Sequence, residues 1–149
     1  MHVILGTDHA GFTHKEAVGE ALRAAGHEVI DCGAMSLDPT DDYPDFIAPA
    51  MERLKTAGPD ARAVIFGGSG QGEAMLANRY RHVRAVVYYG GPKDILTLSR
   101  EHNDANVLSL GARFMSEAEA VAAVEQWLPV AFSGDERHVR RLQKFNHAH

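Results

Sequence analysis

The feature that most constrains the fold is an alternation of short apolar runs with longer helix-like stretches, which continues along all 149 residues. The apolar runs are too short for helices, are rich in Val and Ile, and end at glycine or polar residues, as β-strands do. Five such runs occur, at residues 2–6, 28–33, 63–67, 84–88 and 106–111. Because strands that alternate with helices form parallel sheets with right-handed crossovers, the pattern predicts one α/β domain over residues 1–149.

The predicted domain is doubly wound and Rossmann-like, with helices on both faces of a five-stranded parallel sheet. We expect the strand order 2-1-3-4-5, since it places a single switch point between the first and third strands. An extra and strongly basic helix is predicted near the carboxyl terminus, from about residue 135 to residue 146. Ligands of such sheets bind outside the carboxyl ends of the strands at the switch point, so the turns after strands one and three are the expected site.

Charge and composition exclude several classes of protein. The chain has 15 Lys and Arg against 20 Asp and Glu, a formal charge of −5 that argues against general affinity for nucleic acid. No apolar run approaches the roughly 18 residues of a membrane span, and the first residues lack the features of a signal peptide. The single cysteine, Cys32, cannot form an internal disulfide, so we predict a protein of the reducing cytoplasm.

The turn after the third predicted strand is rich in glycine and reads GGSGQGE over residues 67–73. Glycines let backbone N–H groups approach an oxygen-rich ligand, so the turn suits a phosphate or a developing oxyanion. It lacks the Lys-Ser/Thr ending of a P-loop and the spacing of a dinucleotide-binding loop. A tight turn without a ligand is the alternative interpretation.

Three acidic or basic residues accompany these two turns. Glu73 lies in the first turn of the predicted third helix, where it either stabilises the helix dipole at the surface or acts as a general base. Asp8 and His9 directly follow the first strand. A charged pair at the end of a central strand is costly unless it is solvated or used, so this pair favours a functional role.

Two further polar clusters lie outside the turns. Arg137 and Arg141 are spaced i, i+4 on the basic helix and could clamp one anion, although a solvated helix face is the simpler alternative. His102 and Asn103 precede strand five, so they lie at the amino end of the sheet, opposite the expected pocket. They could serve the pocket of a neighbouring copy, which predicts a homodimer with shared active sites.

Taken together, these motifs resemble the ribose-5-phosphate isomerase type B family and its sugar-phosphate isomerase relatives. The matching segments run in order along the chain, at residues 8–12, 42–44, 68–72, 100–107, 111–113 and 137–141. The resemblance implies isomerisation of ribose 5-phosphate to ribulose 5-phosphate by ring opening and a cis-enediolate, with no metal or cofactor. One branch of the family has a cysteine base at the position of Gly67, whereas this sequence fits the branch with a glutamate base at Glu73.

The resemblance also implies which residues carry out the reaction. Glu73 would be the base, and Ser69 would hydrogen-bond Glu73 or the substrate. His102 would be the acid and base for ring opening, contributed across the dimer together with Asn103 and Arg113. Cys32 has no role in this scheme and is expected to be a small buried hydrophobic residue.

Other residues are implied in substrate binding. Asp8 would bind sugar hydroxyls, His9 would bind the phosphate together with Arg137 and Arg141, and Tyr43 would line the pocket. The remaining predicted substrate contacts belong to the glycine-rich turn: Gly68, Gly70, Gln71 and Gly72. The backbone amides around Gly70 to Gly72 would stabilise the enediolate oxygen.

Several alternatives stay open at this point. The turn at residues 88–91 (YYGG) departs from the family pattern, so isomerisation of a six-carbon sugar, allose or galactose 6-phosphate, is an alternative to the pentose reaction. A non-catalytic nucleotide-binding module is a third reading. The pairing of dimers into tetramers is not determined by the sequence.

Overall fold

The computed structural model describes residues 1–147 and contains one parallel sheet flanked by helices. The strands are β1 (His2–Thr7), β2 (Glu28–Asp31), β3 (Arg62–Gly67), β4 (Ala85–Tyr88) and β5 (Val107–Gly111). The α-helices are α1 (Phe12–Ala24), α2 (Pro44–Thr56), α3 (Gln71–Ala77), α4 (Asp94–Asn103), α5 (Glu117–Trp127) and α6 (Glu136–Gln143). Short 3-10 turns lie at His9–Gly11, Ala112–Phe114 and Lys144–His147.

The doubly wound α/β class is confirmed, but the predicted order of the last two strands is wrong. The sheet has the order β2-β1-β3-β5-β4, and all its neighbouring pairs are parallel. Every residue of β5 is buried, whereas three of the four residues of β4 are only partly buried. An inner strand of a parallel sheet is covered more completely than an edge strand. The fully buried β5 therefore lies inside the sheet beside β3, and the partly buried β4 forms the edge.

Helices cover both faces of the sheet, as predicted. One apolar core lies between the sheet and α1, α4 and α5, and it includes Val18, Leu96 and Trp127. The other core lies beneath α2 and α3 and includes Met51 and Ala77. This division follows from the strand order, because right-handed connections that run in opposite directions along a sheet place their helices on opposite faces.

The predicted basic helix is confirmed, with a shorter regular part. It begins at Glu136 and ends at Gln143, and a 3-10 turn continues the chain through residues 144–147. The predicted single domain includes residues 148–149, which lie outside the part of the chain that the structure describes. Within the described part, no helix has the length and apolar character needed to cross a membrane.

A buried arginine ties α4 to the chain that follows α5. Arg100 is 1% exposed, and its guanidinium donates hydrogen bonds to the carbonyls of Val130 (2.9 Å) and Ala105 (2.6 Å) and to the carboxylate of Asp104 (2.9 Å). The backbone N–H of Ser133 also donates to the carbonyl of Glu101 (3.1 Å). The carboxyl end of α4 and the segment that leads into α6 are therefore held together.

We expect the substitution Arg100→Met to lower the free energy of unfolding by about 2–6 kcal/mol, because two carbonyls lose a buried partner at about 1–3 kcal/mol each. Urea denaturation at a fixed protein concentration measures this change. The matched control is Arg140→Met on α6, because Arg140 is exposed. Equal losses for both variants would contradict a structural role for Arg100.

Candidate active site

The turns after β1 and β3 meet at the carboxyl edge of the sheet, as the sequence predicts. Thr7 and Phe66 are paired residues of these strands, and the chain turns away immediately after them. An open cavity of about 250 Å³ lies between the two turns. The residues that line it are Asp8, His9, Ala10, Tyr43, Gly68, Ser69, Gly72, Glu73 and Arg113.

The glycine-rich turn is fixed by its backbone conformation and by β5. Gly70 has a φ of 76°, a left-handed conformation that favours glycine. The carbonyl of Gly70 accepts a hydrogen bond of 2.7 Å from the buried Ser109 hydroxyl. A Cβ at Gly70 would lie 3.0 Å from the Ser109 hydroxyl oxygen. This hydrogen bond and close packing hold the turn against β5, so α3 begins beside the cavity.

Glu73 is a buried carboxylate in the first turn of α3. It is 5% exposed, and its carboxylate lies over Gly67, where an added Cβ would overlap it. Burial raises the pKa of Glu73 above its ordinary value of 4.5, a hydrogen bond from its own backbone N–H lowers it, and the negative charge of Asp8 raises it further. A carboxylate with a raised pKa at the wall of a cavity is suited to act as a general base.

The residues of the glycine-rich turn that precede Glu73 differ in whether they line the cavity. Ser69 lines the cavity, and its hydroxyl accepts a hydrogen bond of 3.3 Å from the backbone N–H of Gln71. Within residues 1–147, Ser69 makes no hydrogen bond to Glu73. The other predicted role of Ser69, a hydrogen bond to the substrate, stays a prediction. Gly72 faces Tyr43, since a Cβ at Gly72 would lie 2.7 Å from the Tyr43 hydroxyl. Gly70 and Gln71 are in the turn but do not line the cavity.

Asp8 and His9 lie together on the opposite wall. Asp8 caps the 3-10 turn by accepting a hydrogen bond of 2.9 Å from the backbone N–H of Ala10. His9 Nδ1 lies 2.6 Å from Oδ1 of Asp41, and the backbone N–H of His9 donates to the same oxygen (3.0 Å). Sequence reasoning missed Asp41, because it lies in a polar stretch that reads as a surface loop.

One group of possible metal ligands is present in the described part of the chain. The ligand atoms of Asp8, His9 and Asp41 lie within 4.8 Å of one another. Nδ1 of His9 lies 2.6 Å from Oδ1 of Asp41, the distance of a hydrogen bond between the two side chains. We therefore describe His9 and Asp41 as a hydrogen-bonded pair beside Asp8.

Arg113 belongs to the same cavity, which corrects its predicted place beside His102 across a dimer. Its backbone N–H donates to the carbonyl of Gly68 (3.1 Å), and its guanidinium atoms lie 3.1–3.2 Å from the position of a Cβ on Gly68. The strand order explains this correction. Because β5 pairs with β3, Gly111 lies opposite Gly67, and the residues after β5 enter the pocket of their own chain.

The other predicted site residues form a second cluster, away from the cavity. His102, near the end of α4, stacks on His138 of α6, with ring centroids 4.3 Å apart and planes inclined by 14°. His138 is buried, and burial lowers its pKa, with the neighbouring charges of His102 and Arg137 acting in the same direction. His138 was not among the predicted site residues, because its contact with His102 depends on how α6 packs.

Within one chain, the structure does not bring the predicted phosphate ligands together. His9 lines the cavity, whereas Arg137 and Arg141 lie on α6 with His138. Asn103 is exposed at the end of α4, which leads into the amino end of β5. His102, Asn103, Arg137 and Arg141 do not line the cavity around Glu73, in agreement with the expected location of the His102 segment.

The fold and the cavity define a class of enzyme. A buried carboxylate at the carboxyl ends of parallel strands, with histidine, arginine and a glycine-rich turn around it, is suited to moving protons on a small anionic ligand. A family model described as Ribose/Galactose Isomerase matches residues 3–145. The chain belongs to this family, and the protein is an isomerase.

Individual relatives are similar over almost the whole chain. The ribose-5-phosphate isomerase B of Mycolicibacterium paratuberculosis is 40% identical over 142 residues, which are 95% of this chain and 87% of that protein. The ribose-5-phosphate isomerase B of Mycoplasma genitalium, solved with bound ribulose 5-phosphate, has a TM-score of 0.91 and 32% identity, covering 98% of this chain and 94% of that one. The Clostridium thermocellum enzyme has a TM-score of 0.91 and 35% identity, covering 99% and 96%.

Proposed function

We propose that this protein interconverts ribose 5-phosphate and ribulose 5-phosphate, with Glu73 as the base. The observation that supports this role is the buried Glu73 carboxylate at the wall of an open cavity, backed by Gly67, which has no side chain. After ring opening, Glu73 removes the proton from C2, and the electron pair forms the C1–C2 double bond as negative charge develops on O1. The proton then returns to C1, while the hydroxyl on C2 passes its proton to O1, so that C2 becomes the ketone and C1 carries the new hydroxyl.

The residues around the cavity divide the remaining tasks. Arg113 and His9 supply positive charge for the phosphate, and Asp8 accepts hydrogen bonds from sugar hydroxyls. Tyr43 and Ser69 offer hydroxyl groups at the wall of the cavity. Of the backbone amides predicted to stabilise the enediolate oxygen, from Gly70 to Gly72, that of Gly72 belongs to a residue that lines the cavity beside Glu73, so Gly72 is assigned this role.

The second cluster completes the site in a homodimer. His102 serves as the acid and base for ring opening, with Asn103 beside it, and Arg137 and Arg141 hold the phosphate from the far side. The support for this arrangement is that one chain holds these residues away from Glu73, while a two-fold dimer would give two complete sites. A cytoplasmic location is also part of the proposal and rests on the lone Cys32.

The test of the reaction uses EDTA-treated protein with ribose 5-phosphate and, in parallel, allose 6-phosphate, with ketose formation as the readout. We expect rapid conversion of the pentose without added metal. Conversion of the hexose alone would replace the proposal with the six-carbon reaction and direct attention to the turn at residues 88–91. Failure with both sugars would refute the proposed isomerisation, and tight binding of a nucleotide would then favour the non-catalytic alternative.

The test of the shared site mixes two inactive variants, Glu73→Gln and His102→Asn. If each site takes Glu73 from one copy and His102 from the other, half of the dimers in an equal mixture are hybrids with one intact site. Recovery of about a quarter of the wild-type activity is therefore expected after subunit exchange. No recovery, with exchange verified by mass spectrometry, would mean that each chain supplies both residues to its own site.

A further inference from the structure

Asp41 makes two hydrogen bonds to one residue of the cavity. It lies in the loop before α2, and its side chain is 12% exposed. The same carboxylate oxygen, Oδ1, accepts the backbone N–H of His9 at 3.0 Å and lies 2.6 Å from the ring Nδ1. The two residues are 32 positions apart in sequence, so the loop is folded back onto the turn after β1.

The two bonds act on different parts of His9. The bond from the backbone N–H of His9 attaches the loop to the 3-10 turn, which Asp8 caps through the backbone N–H of Ala10. The contact of 2.6 Å with Nδ1 acts on the ring itself. It places the proton on Nδ1 and fixes the ring orientation, because a carboxylate can only accept at that position.

The charges around His9 oppose one another. The carboxylates of Asp41 and Asp8 lie beside the ring, and Asp8 Oδ2 is 3.9 Å from Nδ1. Asp38, in the same loop as Asp41, is exposed and interacts with His9 only through its charge. The positive charge of Arg113 acts against them and disfavours a second cation in the same cavity. The hydrogen bond to Asp41 is the largest influence, and it raises the pKa of His9 above its ordinary value of 6.5.

We propose that Asp41 is a positioning residue that keeps His9 as an imidazolium, with its Nε2–H available to bind the phosphate of the substrate. The proposal rests on the proposed function, because the phosphate is the ligand of that site. Among residues 1–147, the structure shows no hydrogen bond to Nε2, while His9 lines the cavity and its side chain is 28% exposed. The negative charge of Asp41 thus stabilises two cations, His9 and Arg113, in one small cavity. A bound phosphate with a charge of about −1.5 to −2 then neutralises both.

The variant that tests the proposal is Asp41→Asn, which keeps an oxygen acceptor for the backbone N–H of His9 and removes the negative charge. The pKa of His9, followed by NMR titration of its ring, is expected to fall. At a pH between the two titration midpoints that NMR gives for the wild type and the variant, the KM for ribose 5-phosphate is expected to rise about tenfold, the loss of one charge-assisted hydrogen bond, while kcat changes by less than about threefold.

The pH dependence gives a readout that a merely structural role of Asp41 would not move. Imidazolium binding is complete below the pKa of His9 and is lost as pH rises through it. In Asp41→Asn, the rise of KM with pH is therefore expected to begin at a lower pH than in the wild type. Comparing the two proteins under the same conditions cancels the titration of the phosphate itself.

Two further variants serve as controls. Asp38→Asn removes a charge from the same loop without a bond to His9, and it is expected to leave KM within about twofold. In a chain that already carries His9→Asn, the substitution Asp41→Asn is expected to have no further effect on KM, because Asp41 acts through the imidazole.

Each outcome decides between the proposals. An unchanged pKa of His9 in Asp41→Asn overturns the inference, and so does a full additional loss in the His9→Asn background. If the wild type isomerises ribose 5-phosphate and His9→Asn raises KM while Asp41→Asn does not, only the role of Asp41 is wrong. If the wild type converts no sugar phosphate, the proposed function fails, and the role of Asp41 fails with it.

Discussion

Replacing Glu73 with Gln is expected to lower kcat for ribose 5-phosphate by roughly 10²–10⁴-fold, the contribution that a positioned acid or base makes in other enzymes. Glutamine has nearly the same shape as glutamate, so it fills the same space over Gly67, but it cannot accept the proton from C2. The fold and the KM are therefore expected to change little. Steady-state kinetics and circular dichroism of the two proteins measure these effects.

The pH profile of the wild type provides an independent check on Glu73. A base must be deprotonated, so kcat/KM is expected to fall as pH decreases through the pKa of Glu73. Because burial raises that pKa, the fall should begin at a higher pH than the ordinary glutamate value of 4.5 would give. Activity of Glu73→Gln above about a tenth of the wild type would rule out Glu73 as the base.

Adding one carbon atom at Gly67 is expected to be almost as damaging as removing the base. A Cβ at this position overlaps the carboxylate of Glu73, so Gly67→Ala forces the base out of its place. Displacement of a catalytic group by about 1 Å can reduce a rate by roughly 10²-fold, which is the loss of kcat that we expect. The same overlap is expected to lower stability by about 1–3 kcal/mol.

Two comparisons separate this steric effect from general damage. Gly19→Ala in α1 makes the same chemical change against a flexible arginine side chain and the tip of a leucine, and it should retain activity. In a chain with Glu73→Ala, the space over Gly67 is vacant, so Gly67→Ala should destabilise it much less than it destabilises the wild type. Equal destabilisation in both backgrounds would show that the overlap with Glu73 is not the cause.

Local pattern in the sequence predicts most of the fold, since strand length, apolar runs and glycine stops agree along the chain. It does not predict which of the last two strands is central. Residues 84–88 and 106–111 are both apolar, and Ser109 makes the second run look less buried than it is. Its hydroxyl is satisfied by the Gly70 carbonyl, a contact between segments that are 39 residues apart. Only the packed sheet reveals that partner.

The strand order also fixes where Arg113 lies, although its predicted place beside His102 came from the family resemblance and not from the strand order. With β5 at the edge, Arg113 would be one strand farther from the cavity and would be a natural contribution to a neighbouring copy. With β5 beside β3, it joins Glu73 and His9 in its own chain. Asp41 and His138 were missed for a different reason. Their roles depend on contacts with His9 and His102 that loop folding and helix packing create, and no local spacing encodes them.

The overlap between the Glu73 carboxylate and any side chain at Gly67 limits how such an enzyme can change its base. The resemblance implies one branch with a cysteine base at the position of Gly67 and another with a glutamate base at the position of Glu73. Here the Cβ of a cysteine at Gly67 would overlap the Glu73 carboxylate, so that side chain would have to move. An exchange of one base for the other is therefore expected to involve both positions, with Glu73 shortened or moved when residue 67 becomes cysteine. The two positions thus form one steric unit, in which the side chain at one position limits the side chain that the other can carry.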